Sequence, residues 1–504
     1  MKPEERLQLD RMFNPRGLAL FGGISTPVSF GQLILLSQIR YGFKGRLYPI
    51  SSRGGEIAGL KIYRSLREVE GPVDLAAISV PARAVPQVLR ECLDKGVAVA
   101  QIHSSGFVEA GEQGAALESE ILKIAAQGIR VVGPNCFGIH SPRGGITFLP
   151  GFDFSTEPGP VAMISQSGGV ATDLAHEAPA LGLALSKVVS FGNGCDLDAR
   201  DFMEYLADDP ETGYMAAYLE GIRDGRGFLE ILKRVTREKP VVIWKGGLSP
   251  LGARAALSHT GSMGGEAGIW KGALAQAGAV TVKGLDEMLD TLVALRYLKN
   301  PGPRLALLGG GGAIGVFASD LAHRQGLQIP AFSRGTQKRL RNYFPTPGNS
   351  MANPLDTGSP ALPPDTVRAL AEEILTHEPV DVLVMVVLVR TLEKEVPAFY
   401  TMNGLEPPGA GSYLRELLDP LTILKRETGR EIVMVFENRA HLPEEVEVEK
   451  ISRKMQQRYQ SQGIPVYPSA ERALRGISGA VAAMRFMEHR RGRRISHGPP
   501  GSPD

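Results

Sequence analysis

The chain has 504 residues, which is enough for about three domains of ~150 residues each. Its hydrophobic and charged fractions, 43% and 22%, are those of an ordinary globular protein, and the net charge of +2 indicates neither nucleic-acid nor membrane binding. No apolar run reaches the ~18 residues that span a membrane, and the charged N-terminus lacks the apolar region of a signal peptide. The three cysteines are far apart and form no CxxC pair, which predicts no disulfide framework and no metal site and fits a cytoplasmic protein.

Residues 1–150 have the alternation of apolar runs and glycine turns that is typical of a Rossmann-like α/β domain. Gly17–Phe21 predicts a buried strand, and Gly22 and Gly23 form a turn before a helix over residues 29–41. The glycines are not spaced as G-x-G-x-x-G, so ordinary tight-turn geometry explains them equally well. A second strand ends at Ser51, Ser52 and Arg53, where a cation and hydroxyls favour a phosphate over a ribose. Three more strands are predicted at residues 73–80, 97–103 and 129–132.

Residues 151–300 predict a second doubly wound domain, flavodoxin-like in size. A strand at residues 160–164 leads into Ser165, Ser167 and Gly168 at the start of a helix. Free N–H groups and the macrodipole make such a helix start an anion site, although a plain serine N-cap would look the same. A later strand at residues 214–219 delivers Glu220 at its carboxyl end.

His259 follows a predicted buried strand at residues 241–244. The glycines and proline of residues 245–254 predict a loop, so we expect His259 on a loop at the carboxyl end of a strand, where α/β sheets bind ligands. A neutral imidazole here could act as a base, a metal ligand or a phosphate acceptor, or it could simply hydrogen-bond within the loop.

Residues 301–488 predict a third domain of the same flavodoxin-like kind. A strand at residues 305–308 precedes four glycines and a helix, and Gly310, Gly311 and Gly312 again offer either a phosphate site or a flexible turn. Further strands are predicted at residues 380–389 and 431–436. The tail over residues 489–504, basic and then rich in Gly, Pro and Ser, is predicted to be disordered from Arg490.

The first domain resembles the CoA-binding domain of the NDP-forming acyl-CoA synthetases, the superfamily that includes succinyl-CoA synthetase. The matching stretches are residues 41–50, 59–63, 74–78, 80–82 and 133–136. In that family the first turn, the end of the second strand and a Val-Pro turn hold CoA. The resemblance implies CoA contacts from Gly23, Ser25, Arg53, Val80 and Pro81. The family commonly has Asn-Pro-Lys where this chain has Ser51, Ser52 and Arg53, so the cation is kept as arginine.

The second and third domains resemble the ADP-forming acetyl-CoA synthetases, through residues 164–169, 190–193, 218–222, 239–242, 258–261 and 353–356. The family phosphorylates the histidine that matches His259 and orients it with the glutamate that matches Glu220. Two helix starts hold the phosphate in the family. These imply one phosphate-binding set of Ser165, Ser167 and Gly168 and a second set of Gly310, Gly311 and Gly312.

No Walker A motif or ATP-grasp domain is evident in the sequence, and in the family the ATP-grasp domain lies in the same chain or on a separate subunit. The resemblance therefore implies the α subunit of a hetero-oligomeric acyl-CoA synthetase, with CoA as substrate and with ADP/ATP and Mg on an ATP-grasp β subunit. The implied reaction converts acyl-CoA, phosphate and ADP to carboxylic acid, CoA and ATP, reversibly. A non-catalytic CoA-binding regulator and a CoA-dependent acyl or carbamoyl transferase stay open as alternatives.

Overall fold

The computed structural model describes residues 1–24, 26–149, 151, 153–260, 265–309, 311–344, 350–359, 362–402, 404 and 409–495. For residues 257–260 and 491–495 it describes the backbone alone. The chain forms two compact units. The first is Met1–Met288 with the residues from His489 onward, and the second is Leu289–Glu488.

The first sheet has five parallel strands in the order β2-β1-β5-β6-β7. Alternate residues of β1 enter two different cores, with Leu18 and Leu20 on one face and Ala19 and Phe21 on the other. The sheet is therefore covered on both faces, which is why its strands are apolar throughout. The strands of this region are β1 Gly17–Phe21, β2 Arg46–Ile50, the small hairpin β3 Gly55–Ile57 and β4 Leu60–Ile62, β5 Leu75–Ile78, β6 Val99–Ile102 and β7 Arg130–Val132. The helices are α1 Pro3–Phe13, α2 Phe30–Tyr41, α3 Val85–Lys95 and α4 Glu112–Ala125.

The second sheet has seven strands in the order β14-β13-β12-β10-β11-β8-β9. Strands β10 to β14 are parallel, whereas β8 runs antiparallel to β11 and β9 antiparallel to β8. The strands are β8 Gly138–Ser141, β9 Ile146–Thr147, β10 Pro158–Ser165, β11 Leu185–Ser190, β12 Tyr214–Leu219, β13 Val241–Lys245 and β14 Val280–Val282. The helices are α5 Gly168–Ala180, α6 Ala199–Ala207, α7 Gly225–Val235, α8 Pro250–Thr260 and α9 Ala267–Ala277. Helix α10 Leu285–Tyr297 begins in the first unit and belongs to the second from Leu289 onward.

The hairpin of β8 and β9 joins the second sheet although both strands precede residue 150. Helix α2 also binds this hairpin, because the buried Gln38 side chain accepts the N–H of Thr147 at 3.2 Å and donates to its carbonyl. One hydrophobic core holds residues of both sheets, among them Leu18 and Ile164. The two sheets are thus packed as one unit, and a domain boundary near residue 150 stays a prediction.

The second unit contains a sheet of four parallel strands in the order β15-β16-β17-β18. Its strands are β15 Leu305–Gly309, β16 Val382–Leu388, β17 Glu431–Glu437 and β18 Val466–Tyr467. Its helices are α11 Gly312–Arg324, α12 Arg334–Leu340, α13 Pro364–His377, α14 Val396–Met402, α15 Ala410–Thr428, α16 Val446–Ser461 and α17 Ala470–Ile495. The predicted α/β class with largely parallel sheets is confirmed. Within the described residues, no helix is both long and apolar enough to cross a membrane.

Strand order reverses once in each of the first two sheets. In the first sheet the chain leaves β1 for β2 on one side and returns to β5 on the other, and in the second it leaves β10 for β11 and returns to β12. Ligands of α/β proteins bind at such reversals, outside the carboxyl ends of the strands. We therefore expect ligands after β1 and β5 and after β10 and β12.

One prediction of local structure is wrong. Residues 250–254 and His259 belong to helix α8 and not to a loop. Pro250 suits the first position of a helix, the Ser249 hydroxyl accepts the N–H of Gly252 at 3.0 Å, and the alanines that follow are strong helix formers. Helix α17 continues to Ile495, past Arg490, and disorder of the tail stays a prediction. Residues 496–504 lie outside the described residues.

Candidate functional site

The turns after β1 and β5 contact each other at the first reversal of strand order. Gly22 has φ +91°, and a Cβ there would lie 2.5 Å from the carbonyl oxygen of Ser79, so this turn requires glycine. Gly23 is exposed with φ +66°, and its carbonyl accepts the Ser29 hydroxyl at 2.5 Å. Val80 and exposed Pro81 come after Ser79, the first residue beyond β5. The structure thus brings Gly23, Val80 and Pro81 to one reversal point, whereas Ser25 lies outside the described residues.

Arg53 follows β2, the neighbour of β1, and its side chain is exposed. It makes no ion pair with any carboxylate of the described residues, so its charge is available to a ligand. Because β2 and β1 are parallel, Arg53 and the turn after β1 lie at the same side of the sheet. A role of Arg53 in holding a CoA phosphate stays a prediction.

Arg53→Glu is expected to weaken CoA binding by ~1–3 kcal/mol, the scale of a hydrogen bond to a charged group. Isothermal titration calorimetry with CoA measures this change. Arg67→Glu is the matched control, because Arg67 is also exposed but precedes β5 and so lies toward the opposite ends of the strands. Equal CoA affinities for the wild type and Arg53→Glu would contradict the assignment.

The helix start after β10 has the geometry of an anion site. The Ser167 hydroxyl caps α5 by accepting the N–H of Val170 at 3.4 Å. The Ser165 hydroxyl donates to the Ser167 carbonyl at 2.6 Å and accepts the Ser167 N–H at 3.1 Å. Both hydroxyls therefore shape the turn, and the first N–H groups of the helix, beginning at Gly168, are the donors available to an anion.

Glu220 lies at the end of β12, next to β10, and is 4% exposed. The side chain of Gln166 joins this position to the helix start, because its Oε1 accepts the N–H groups of Glu220 and, at 2.9 Å, of Gly221. The Tyr218 hydroxyl donates to the Glu220 carboxylate at 3.1 Å. The structure thus brings together Ser165, Ser167, Gly168 and Glu220 at the second reversal of strand order, through a glutamine to which the sequence analysis assigned no role.

Lys245, at the end of β13, is a second residue that sequence reasoning missed. Its buried ammonium group donates to the backbone carbonyl of Glu220 at 2.8 Å and to that of Gly246, and it lies 4.8 Å from the centroid of the Trp270 ring. Burial lowers the pKa of Lys245 to about 8, while the negative charge of Glu220 acts in the opposite direction. A buried positive charge therefore lies beside Glu220 at the carboxyl ends of β12 and β13. Its position at the end of a buried strand is the signal that could have indicated it.

His259 lies in the last residues of α8, and the structure describes its backbone but not its side chain. Helix α8 lies beside the short turn Val108–Ala110, which follows β6 of the first sheet. The pairing of His259 with Glu220 stays a prediction.

The segment 133–137 connects the carboxyl ends of the first sheet with those of the second. The carbonyls of Pro134 and Gly133 accept the N–H groups of Asn193 at 3.0 Å and Cys195 at 2.9 Å. The N–H of Phe137 donates to the Ser190 hydroxyl at 3.1 Å. The carboxyl ends of β7 and β11 are therefore joined through this segment.

The residues of the second predicted phosphate-binding set lie in the second unit. Gly311 precedes α11 with φ +82°, and a Cβ on Gly312 would lie 3.1 Å from the Asp356 carboxylate. A carboxylate near a helix start is favourable for the helix but competes with a phosphate for the same N–H groups. Gly310 lies outside the described residues, and phosphate binding by Gly311 and Gly312 stays a prediction.

Comparison with known proteins agrees with this arrangement. Residues 16–142 match the family model of a CoA binding domain, and residues 158–295 match that of a succinyl-CoA ligase like flavodoxin domain. The chain is 38% identical to the α subunit of ADP-forming acetate–CoA ligase II of Pyrococcus furiosus, over 77% of this chain and 84% of that protein. It is 34% identical to the α subunit of ligase I of the same organism, over 94% and 97%.

A solved structure shows the same fold along the whole chain. The dinucleotide forming acetyl-coenzyme A synthetase 1 of Ca. Korarchaeum cryptofilum, in complex with phosphate and ADP, superimposes with a TM-score of 0.78 at 31% identity, covering 98% of this chain and 99% of that one. The residues matched by the two family models include both reversal points. The chain therefore belongs to the family of ADP-forming acetate–CoA ligase α subunits, which are acid–CoA ligases of the succinyl-CoA synthetase superfamily.

Proposed function

We propose that this chain is the catalytic α subunit of an enzyme that converts acyl-CoA, phosphate and ADP to a carboxylic acid, CoA and ATP, reversibly, through a phosphorylated His259. The partner is an ATP-grasp β subunit that holds ADP or ATP with Mg. The observation that carries the proposal is the meeting of a capped helix start and the buried Glu220 at one reversal of strand order, next to the CoA-binding sheet. The names of the two Pyrococcus relatives, which are α subunits of ADP-forming acetate–CoA ligases, support both the reaction and the partner.

In the first step a phosphate at the N-terminus of α5 attacks the carbonyl carbon of the acyl-CoA thioester. A carbon–oxygen bond forms, the carbon–sulfur bond breaks, and CoA leaves as a thiolate that takes up a proton. The N–H groups at Gly168 and Gly169 hold the phosphate oxygens, and the helix macrodipole favours their negative charge. The product is an acyl phosphate that stays at the helix start.

In the second step a ring nitrogen of His259 attacks the phosphorus atom, and the carboxylate leaves with the electron pair of the broken phosphorus–oxygen bond. Glu220 accepts the N–H of the other ring nitrogen, which fixes the tautomer and stabilises the positive charge that forms on the ring. Lys245 adds a positive charge to the wall that faces the phosphoryl group. The segment that carries His259 then moves to the partner, where the phosphoryl group passes to ADP.

Reconstitution tests this function. The chain alone, with acetyl-CoA, phosphate and ADP, is expected to form no ATP, whereas addition of the ATP-grasp β subunit from the same organism should restore ATP formation. A luciferase assay measures the product, and the β subunit alone is the control. Rapid ATP formation by the α chain without a partner would contradict the proposed division of labour.

A further inference from the structure

Two phenylalanines lie between the predicted CoA turn and the anion site. Phe30 is the first residue of α2, directly after Ser29, whose hydroxyl bonds to Gly23. Phe137 packs against the start of α5 so closely that a Cβ on Gly168 would lie 2.5 Å from its ring. The two rings are 5.8 Å apart between centroids, and both are partly exposed. A partly exposed aromatic pair thus spans the short gap between the two ligand positions.

The buried rings of His103 and Phe148 lie on the core side of this pair. The His103 ring lies 5.4 Å from Phe30 and 5.6 Å from Phe148, measured between centroids. His103 Nδ1 lies 3.1 Å from the Cys136 carbonyl oxygen, so Nδ1 carries the hydrogen and Nε2 is a bare acceptor. That Nε2 atom is buried and has no hydrogen-bond partner among the described residues. Burial lowers the pKa of His103 to about 4, so the ring is neutral at pH 7.

The chemistry of the first step restricts where the acyl group can lie. In the tetrahedral intermediate, the acyl carbon is bonded both to the CoA sulfur and to a phosphate oxygen. In the proposed mechanism, CoA approaches from the turns of the first sheet and the phosphate binds at the start of α5. The acyl chain must therefore extend from this carbon at the point where the turns of the first sheet meet the start of α5. Phe30 and Phe137 supply the apolar surface there.

We propose that Phe137 and Phe30 form the wall of the acyl subsite, and that this wall selects short, uncharged acyl groups. The inference rests on the proposed function, because it needs acyl-CoA and phosphate at these two positions. Gly168 holds Phe137 close to the phosphate, so the depth available to the acyl chain is set by the Phe137 ring. Phe30 closes the subsite from the CoA side and packs on the shared core.

The same two rings also disfavour acyl groups that carry a charge. A dicarboxylic acyl group, such as succinyl, would bring a second carboxylate against Phe30 and Phe137. That carboxylate would lose water against the rings, and the His103 ring behind them, whose Nε2 is an acceptor, offers it no hydrogen-bond donor in return. Short aliphatic acyl groups carry no charge that must lose water, and they gain apolar contact with the two rings.

Substitution of the wall tests the inference with the complete enzyme, that is, the chain with its β subunit. Phe137→Ala is expected to raise the ratio of kcat/KM for hexanoyl-CoA or phenylacetyl-CoA to kcat/KM for acetyl-CoA by about tenfold or more, the scale of a few methylenes in an apolar pocket. Phe30→Ala should shift the ratio in the same direction. Phe137→Trp should shift it the opposite way, with butyryl-CoA losing more than acetyl-CoA. Phe137→Leu serves as the second variant if Phe137→Ala does not fold.

Phe43→Ala is the matched control, because Phe43 is also a partly buried phenylalanine on the same core but precedes β2, toward the amino ends of the strands. It should leave the acyl preference unchanged. Phosphorylation of His259 from ATP through the β subunit needs no acyl group, and it should persist in all five variants. If the Phe137 and Phe30 variants keep the wild-type acyl preference while the wild type turns over, the acyl-wall inference is overturned and the proposed function stands. If the wild type shows neither turnover nor phosphohistidine, the proposed function is overturned and the inference with it.

Discussion

His259→Ala is expected to lower ATP synthesis by at least ~10⁴-fold, the scale on which enzymes lose activity without their nucleophile. The covalent carrier of the phosphoryl group is then absent, so incubation with the β subunit, ATP and Mg should leave the chain without added mass. Intact-mass spectrometry under neutral conditions detects the acid-labile phosphoryl group. Alanine is the strongest helix former, so α8 and the binding of CoA should be preserved.

His323→Ala is the control for this experiment, because His323 is exposed in the last turn of α11 and has no assigned role. It should phosphorylate and turn over like the wild type. Continued turnover of His259→Ala, with the phosphoryl group found on another residue, would remove His259 from the mechanism.

Glu220→Gln is expected to slow the phosphorylation of His259 by at least ~100-fold, which is the scale of removing one preorganised electrostatic group. Glutamine keeps the shape of the side chain and can still accept the Tyr218 hydroxyl. It carries no negative charge, so the cation that forms on the histidine ring loses its stabilising partner. Quench-flow measurement of phosphohistidine formation gives the rate directly.

Glu378→Gln is the matched control for the charge change. Glu378 is also buried, at 5% exposure, and accepts a backbone N–H from Ser333 at 3.0 Å in the second unit. Its substitution should leave the phosphorylation rate near that of the wild type. A wild-type rate for Glu220→Gln would show that this carboxylate does not act on the histidine.

Much of the fold follows from the sequence because buried parallel strands are short apolar runs between glycine turns. The predicted limits of β1 and β12 are those of the structure, Gly17–Phe21 and Tyr214–Leu219. Strand pairing is a different matter, since the hairpin of β8 and β9 looks like the end of the first domain but pairs with β11 of the second sheet. Local patterns do not reveal which distant strand a segment will join.

The candidate site shows the same division between local and distant information. Residues such as Ser167 and Gly168 are predictable, because a serine and glycines at a helix start are a local signal. The contact of Gln166 with Glu220 joins residues 54 positions apart, and nothing in the composition of either segment predicts it. Phe137 likewise looks like any core residue until its ring is found against Gly168. The sequence predicts a loop where α8 begins because Gly246, Gly247, Pro250 and Gly252 are local loop signals, whereas the alanines that favour the helix come after them.

The placement of the β8 and β9 hairpin has a consequence for anyone who divides this protein into parts. A cut at residue 150 would leave the hairpin with the first fragment and would turn β11, six fully buried residues, into an open edge of the second. Unpaired backbone on an exposed apolar edge is a template for aggregation. The fragment 1–150 would carry the complementary open edge on β8, while Gln38 still anchored the hairpin to α2. The two fragments would therefore bind each other when made together and self-associate when made apart.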